Sequence, residues 1–261
     1  MTEHINHLAV SRFIAELEDQ ILELGIHLEL RTDFGYLLRL SEKLEDKPYP
    51  TAMFNPLHHH IGPENGFWIK GTNNDGDVVH IQAVRYDDLT GTNLARECEN
   101  LTSFYFDPKI SAEDDEWCKS YAPIAKQITG PSCYHGEVWL RKGEGKNDSG
   151  FRGKGLASLL ARLGMAIALL KWNPNYIYGY VYPALILNGV MANYGYSHFQ
   201  PSVLQWHRPS REKNLDVWII WMARKDLMEL TLSTQERDID IRGQIGQAHQ
   251  NGGSSVQIAA E

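Results

Sequence analysis

Phe151-Arg152-Gly153-Lys154-Gly155-Leu156-Ala157 opens onto Ser158-Leu159-Leu160-Ala161-Arg162-Leu163-Gly164-Met165-Ala166-Ile167-Ala168-Leu169-Leu170-Lys171. Leu156, Leu160, Leu163, Ile167 and Leu170 recur at steps of four and three, which is one face of an α-helix. Ala157, Ala161, Gly164 and Ala168 recur the same way beside them. A large stripe next to a small one predicts a buried helix lying very close to a sheet, stopped by Asn173-Pro174-Asn175. The helix start carries chemistry. Gly153 and Gly155 leave the backbone open to close approach. The first-turn amides of a helix lack internal partners, and its dipole adds positive potential there. Arg152 and Lys154 add full charges. Together they fit a phosphate or pyrophosphate. The competing reading is that the glycines serve tight helix–sheet packing and the cations are solvated.

The spacing narrows the first reading. A nucleotide-triphosphatase loop needs four residues between its glycines and then Lys-Ser/Thr, and a dinucleotide fingerprint needs Gly-x-Gly-x-x-Gly after the first strand of a βαβ unit. Neither is present here. Arg152-x-x-Gly155-x-Ala157 instead resembles the acyl-CoA pyrophosphate loop, Arg/Gln-x-x-Gly-x-Gly/Ala, of the GCN5-related N-acetyltransferase (GNAT) superfamily. The neighbours follow that family's order. Tyr134 to Arg141 reads as a strand before the loop. Tyr176-Ile177-Tyr178-Gly179-Tyr180-Val181-Tyr182 alternates as a strand after the helix. A helical segment from Leu185 to Asn193 and the stretch Tyr194 to Pro201 follow. Asn188 and Tyr194-Gly195-Tyr196-Ser197-His198-Phe199 stand where the family has an Asn and then Tyr-x-x-x-Gly-Phe. The resemblance covers roughly residues 67 to 225. His198 replaces the usual Gly, so a second alignment takes Gly195-Tyr196 as the Gly-Phe pair and moves the tyrosine position to Met191. The loop from Lys142 to Gly150 is longer than the family's.

The resemblance implies an α/β protein of the acetyltransferase fold. Its central sheet would be mixed and mostly antiparallel, flanked by helices, with an extra N-terminal helix and an insertion before the fourth strand. The chain reads as one domain over 1–230, with the insertion at about 90–130, and a polar tail over 231–261, where the apolar periodicity is lost. The resemblance implies acetyl-CoA, or another acyl-CoA, as co-substrate and no metal. The donor would be held by Arg152, Gly153, Lys154, Gly155, Leu156 and Ala157, by the main chain of Val138, Trp139 and Leu140, and by Asn188.

Transfer to an amine also requires a proton acceptor, oxyanion stabilisation and an acid for the departing thiolate. His135 and Glu137 stand two apart on the strand before the loop, so a regular strand puts them on one face. Glu137 is the first candidate base and His135 the second. The competing reading pairs Glu137 with a cation such as Arg141. Tyr194 is the candidate acid by its match to the family tyrosine, against a role as an amphipathic core tyrosine in a chain with 12 of them. Gly179 inside a strand points to close backbone approach.

Composition sets outer bounds. The chain has 261 residues and a net charge of −8, with no basic footprint for nucleic acid, so the alternating Tyr176, Tyr178, Tyr180 and Tyr182 read as packing or a substrate wall. Cys98, Cys118 and Cys133 are too few and too irregular for a disulfide framework or a CxxC zinc site. None falls at a recognisable nucleophile position, which favours direct transfer in a ternary complex. The start lacks a signal-peptide pattern, and no stretch approaches the ~20 apolar residues of a membrane span. The expected setting is therefore cytoplasmic, with no membrane or nucleic-acid partner. The expected partner is a small-molecule or peptide amine, and a homodimer is left open.

The remaining chain supplies the frame. Val10, Ile14, Leu17, Ile21 and Leu24 predict an amphipathic helix over 5–24, ended by Gly25. Residues 26–31 read as a strand and 34–44 as a helix. His58-His59-His60 raises a metal, but neighbouring side chains in an extended segment diverge, so a polar loop, or a place at the substrate entrance, is the expectation. Residues 66–89 form a hairpin about Asn73-Asn74-Asp75-Gly76-Asp77. Within 90–130, helices are expected at 94–101 and 113–128, with Glu113-Asp114-Asp115-Glu116 as a solvated helix start or, less simply, a cation-attracting rim. Residues 203–207 and 215–223 close the sheet. The alternative to an enzyme is an acetyltransferase-like binding or regulatory module without turnover. A longer acyl donor is a third reading.

Overall fold

The computed structural model describes residues 4–143, 150–151, 155–187, 189 and 193–232. Its frame is one eight-stranded sheet in the order β1-β2-β3-β5-β6-β8-β7-β4. The strands are β1 (His27–Arg31), β2 (Gly66–Thr72), β3 (Val78–Leu89), β4 (Trp117–Ser120), β5 (Gly130–Leu140), β6 (Tyr176–Val181), β7 (His198–His207) and β8 (Leu215–Ala223). Every adjacent pair is antiparallel except β5 and β6, which run parallel. The sheet is thus mixed and mostly antiparallel, with helices on both faces.

One face is covered by α1 (His7–Glu23), α6 (Leu156–Trp172) and α8 (Arg224–Leu230), whose apolar residues share a core with Phe67, Val84, Cys133 and Ile177. α1 is capped by the Asn6 side chain and ended by Gly25 at φ +83°. In α6, Leu156, Leu160 and Leu163 are buried as the large stripe predicts, while Ile167 and Leu170 are half-buried. Ala161, Gly164 and Ala168 are buried, so the small stripe faces the sheet. A Cβ on Gly164 would stand 2.7 Å from Gln82 Oε1 of β3, so only glycine leaves room for that amide. Asn173 ends α6 in the left-handed region.

The other face packs α2 (Phe34–Ser41), α3 (Leu94–Glu99) and α5 (Pro123–Gln127) against Trp68, Tyr134 and Tyr178. Two short helices complete the described set, α4 (Pro108–Ser111) and α7 (Pro183–Leu187). Arg85 is 2% exposed here. It donates to both Asp87 oxygens at 2.8 and 3.0 Å and to the Met53 and Ser103 carbonyls at 3.0 Å, which satisfies a charge that would otherwise be costly to bury.

The insertion departs from expectation. The helix predicted over 113–128 is replaced by β4 and then α5, and β4 extends the far edge of the sheet by pairing with β7. The acidic cluster is not a helix start. Glu116 accepts from Trp206 Nε1 at 2.6 Å and Tyr105 Oη at 3.0 Å, and Glu113 accepts from Arg208 at 2.7 Å and from the Ser210 amide at 2.7 Å. These carboxylates tie the insertion to β7 and the loop after it. Pro123 explains why helix begins only there: it suits a first helical turn and would break the interior of a longer one.

Among the described residues, no helix is long and apolar enough to cross a membrane. The 231–261 tail lies outside the described residues beyond Leu232.

Candidate active site

The parallel pair makes the site. β5 and β6 are in register only from Ser132–Tyr176 to Tyr134–Tyr178. Past that point β5 continues against β3 and β6 continues against β8, so the two strands part at their carboxyl ends. Ligands bind at such forks because in-plane backbone groups there have no strand partner, and the connecting helix begins at the same end. That helix is α6. Its N-cap, Gly155, is at φ +76°, with no atom of the described residues within 4 Å of where a Cβ would stand, and provides no side-chain cap for the first-turn amides.

Gly179 sits at the crotch of the fork. A Cβ there would lie 2.9 Å from the His135 carbonyl oxygen and 3.6 Å from Tyr196 Oη. The close approach expected from a glycine in this strand is thus by β5 itself. Beyond it lies a cleft of about 330 Å³ with walls from His135 to Trp139 on β5, from Gly179 to Val181 on β6, and Tyr182 just after it. Lys47, Tyr49 and Thr51 cover one side, and Leu185, Tyr194 and Tyr196 another.

β5 carries a bulge at this place. Gly136 pairs with Ala83 and Trp139 with Ile81, so Glu137 and Val138 together stand opposite Gln82. Glu137 takes φ +56° to allow it. The shared face expected for His135 and Glu137 is therefore not formed, because the extra residue breaks the alternation. Glu137 Oε2 accepts from Lys47 Nζ at 2.8 Å, and Oε1 accepts from the Thr51 amide and hydroxyl at 2.8 and 3.0 Å. Its cation is Lys47, not Arg141, which pairs with Asp77. His135 lies among different partners: Nε2 is 2.9 Å from Gln82 Oε1 and Nδ1 is 3.0 Å from Tyr196 Oη. Burial lowers its pKa to about 4, so it is a neutral imidazole near pH 7.

Of the other residues singled out in the sequence, Val138, Trp139 and Tyr194 line the cleft. Leu140 pairs with His80 and is not one of the cleft's walls; Gly155, Leu156 and Ala157 form the start of α6. Arg152, Gly153, Lys154, Asn188 and Met191 lie outside the described residues. The tyrosine ladder divides. Tyr178 is buried against Tyr134, Tyr180 lies 3.2 Å through its hydroxyl from Cys98 Sγ, and Tyr182 is exposed at the cleft.

The three cysteines are buried and unpaired. Burial pushes the Cys98 thiol up to about 12 and raises Cys118 and Cys133 as well, which removes thiolate character from each. His58, His59 and His60 do not line the cleft: they face Tyr105, the Ser103 carbonyl and Phe106 respectively. Among the described residues, no three His, Cys, Asp or Glu side chains are grouped to hold a metal.

Lys47, Gln82 and Tyr196 escaped the sequence reading as site residues. Lys47 gives no local signal. Gln82 does, as a polar residue inside the buried run Ile81-Gln82-Ala83-Val84.

Fold and site together define a mixed α/β protein with a ligand cleft at the fork of its two parallel strands. No protein-family model matches the chain, and no curated protein matches it significantly. Solved structures that overlap it include N-acetyltransferases. Spermidine/spermine N-acetyltransferase SpeG from Vibrio cholerae is 10% identical with a TM-score of 0.41, over 78% of this chain and 96% of that one. The GNAT domain of S. lividans PAT is 16% identical with a TM-score of 0.38, over 76% and 90%. AAC(6')-Ib, solved with paromomycin and acetyl-CoA, is 12% identical with a TM-score of 0.41, over 80% and 99%. At these values the overlap argues nothing about activity or acceptor, which must come from the fork itself.

Proposed function

We propose that this protein is an acyl-CoA-dependent N-acyltransferase that passes an acetyl group to an amine by direct attack in a ternary complex. The observation that carries the reading is the parting of β5 and β6 after Tyr134 and Tyr178, which opens a cleft at the end where α6 begins, its N-cap Gly155 having no side chain to cap the first turn. A thioester arm suits such a place. It is narrow and extended, it can pair with strand backbone, and its phosphates can meet helix amides.

Acetyl-CoA supplies an activated acyl carbon and a thiolate leaving group. The chain's residues divide the remaining work. Arg152, Gly153 and Lys154, with the first turn from Gly155 to Ala157, hold the phosphates, and Asn188 supports the arm. The main chain of Val138, Trp139 and Leu140 aligns it, and an amide at the bulge stabilises the oxyanion. Glu137 has both oxygens committed to Lys47 and Thr51, so its geometry supports holding the 47–51 segment over the cleft. His135, neutral and free of an ion pair, is the better-supported base. Tyr194 serves as the acid for the thiolate. Tyr49, Tyr182 and Leu185 are 49%, 54% and 42% exposed along the cleft, which suits an amine carried on an apolar body.

Calorimetric titration with acetyl-CoA and CoA, beside an Arg152→Ala, Lys154→Ala double variant, tests the donor site. Saturable binding that the variant loses supports the reading and justifies a screen of amine acceptors. Absence of binding by the wild type overturns it, and binding without turnover across the amines assigns the fold to a binding or regulatory module.

A further inference from the structure

A directed chain of hydrogen bonds runs from α6 through the sheet to the cleft. Gln82, 0% exposed, donates from Nε2 to the Leu160 carbonyl of α6 at 2.6 Å. The amide cannot be turned over, because Oε1 would then face that carbonyl oxygen at the same short distance. Its Oε1 therefore points at His135 Nε2, 2.9 Å away, and an oxygen acceptor there requires Nε2 to carry the proton. His135 Nδ1 is then a bare lone pair. Tyr196 Oη, 3.0 Å from it, must donate. Tyr196 is 4% exposed and lines the cleft, so what it offers the cleft is an oxygen lone pair rather than a proton.

We infer that Gln82 is a positioning residue that fixes the His135 tautomer and so makes Tyr196 the relay through which His135 takes the proton of the acceptor amine. The inference rests on the acyltransferase reading for its substrate. As the amine nitrogen bonds to the acyl carbon, its proton passes to Tyr196 Oη while the Tyr196 proton passes to His135 Nδ1. Tyr196 is neutral before and after. His135 becomes an imidazolium whose Nε2–H stays on Gln82 Oε1, so the new charge arises against an acceptor already in place. The same polarity keeps Tyr196 from serving as the acid for the thiolate, which leaves that task to Tyr194. Gly164 belongs to the device, since a Cβ there would press on Gln82 Oε1.

The test is nitrogen NMR of His135 in the wild type, in Gln82→Met and in Gly164→Ala, beside kcat and acetyl-CoA affinity for these and for Tyr196→Phe. The wild type should hold the Nε2–H form with Nδ1 unprotonated. Gln82→Met should mix the tautomers and lower kcat on the order of tenfold. Tyr196→Phe should lower kcat on the order of a hundredfold. Acetyl-CoA affinity should be kept in each, which also reports folding. An Nδ1–H wild type overturns the inference, as does a Gln82→Met protein that keeps both tautomer and kcat. A wild type without turnover on any amine refutes the acyltransferase reading and the relay with it, whereas the tautomer, which needs no substrate, separately decides whether Gln82 controls His135.

Discussion

Lys47 Nζ and Glu137 Oε2 meet at 2.8 Å with 1% and 5% of their side-chain surfaces exposed. The pair joins the segment after α2 to the bulge of β5, 90 residues away in the chain. Two Thr51 hydrogen bonds fill the other carboxylate oxygen. A charge buried this far is tolerated because every partner is present.

Removing one partner should therefore cost more than removing both. Lys47→Met leaves a buried carboxylate without its cation and should destabilise by about 3–5 kcal/mol. Adding Glu137→Leu should recover most of that loss. Urea unfolding of the two single variants and the double measures the coupling, and a double variant less stable than Lys47→Met alone would contradict it.

Gly179→Ala probes the fork. The new methyl would lie 2.9 Å from the His135 carbonyl oxygen, which is backbone and cannot swing aside. Strain of about 1–3 kcal/mol is expected, relieved in part by pushing β5 from β6. Acetyl-CoA affinity should fall as the walls from Gly179 to Tyr182 shift, whereas Gly76→Ala, at a hairpin turn with open space around it, should leave affinity unchanged. Calorimetric titration of both variants makes the comparison.

Tyr194→Phe removes a single hydroxyl from a half-buried side chain at the cleft. Loss of an acid for the thiolate should lower kcat on the order of a hundredfold and leave acetyl-CoA affinity within about twofold. Steady-state kinetics beside binding separates the two. An unchanged kcat takes Tyr194 out of the mechanism.

The frame was legible where periodicity is strong. The two stripes of α6 and the alternation of Tyr176 to Val181 each place an element from sequence alone, because their buried residues meet the cores, and the Asn-Asn-Asp-Gly turn after β2 is placed by its turn chemistry. The region 113–128 misled, because its carboxylates resemble a helix start while Glu116 serves as an acceptor for Tyr105 and Trp206. Only the fold brings those residues together. The cleft is readable only in part. His135, Glu137 and Tyr194 stand out on one strand and one motif, but the partners of His135 and Glu137 come from elsewhere in the chain: Gln82, Tyr196 and Lys47. The bulge that separates His135 from Glu137 depends on register against β3, which alternation cannot reveal.

Three histidines make stability depend on pH. Burial lowers His80 and His59 to about 3 and His135 to about 4, and Arg85 adds to the effect at His59. In the unfolded chain each returns to about 6.5. Between these values the unfolded state binds protons that the folded state does not, so stability is complete above pH 6.5 and declines as pH falls toward 4 and then 3. Each histidine contributes about 1.4 kcal/mol per pH unit well inside that window, or roughly 4 kcal/mol for the three by pH 5.5. Urea unfolding at pH 7.5, 6.5 and 5.5 should show the decline. His80, whose Nδ1 donates to the Trp139 carbonyl at 2.8 Å, is not itself one of the cleft's walls, so His80→Gln should flatten the slope by about a third even if it lowers stability at every pH. A wild type equally stable at pH 7.5 and 5.5 would mean that these imidazoles bind protons as readily in the folded protein as in the unfolded chain, and would overturn the lowered values.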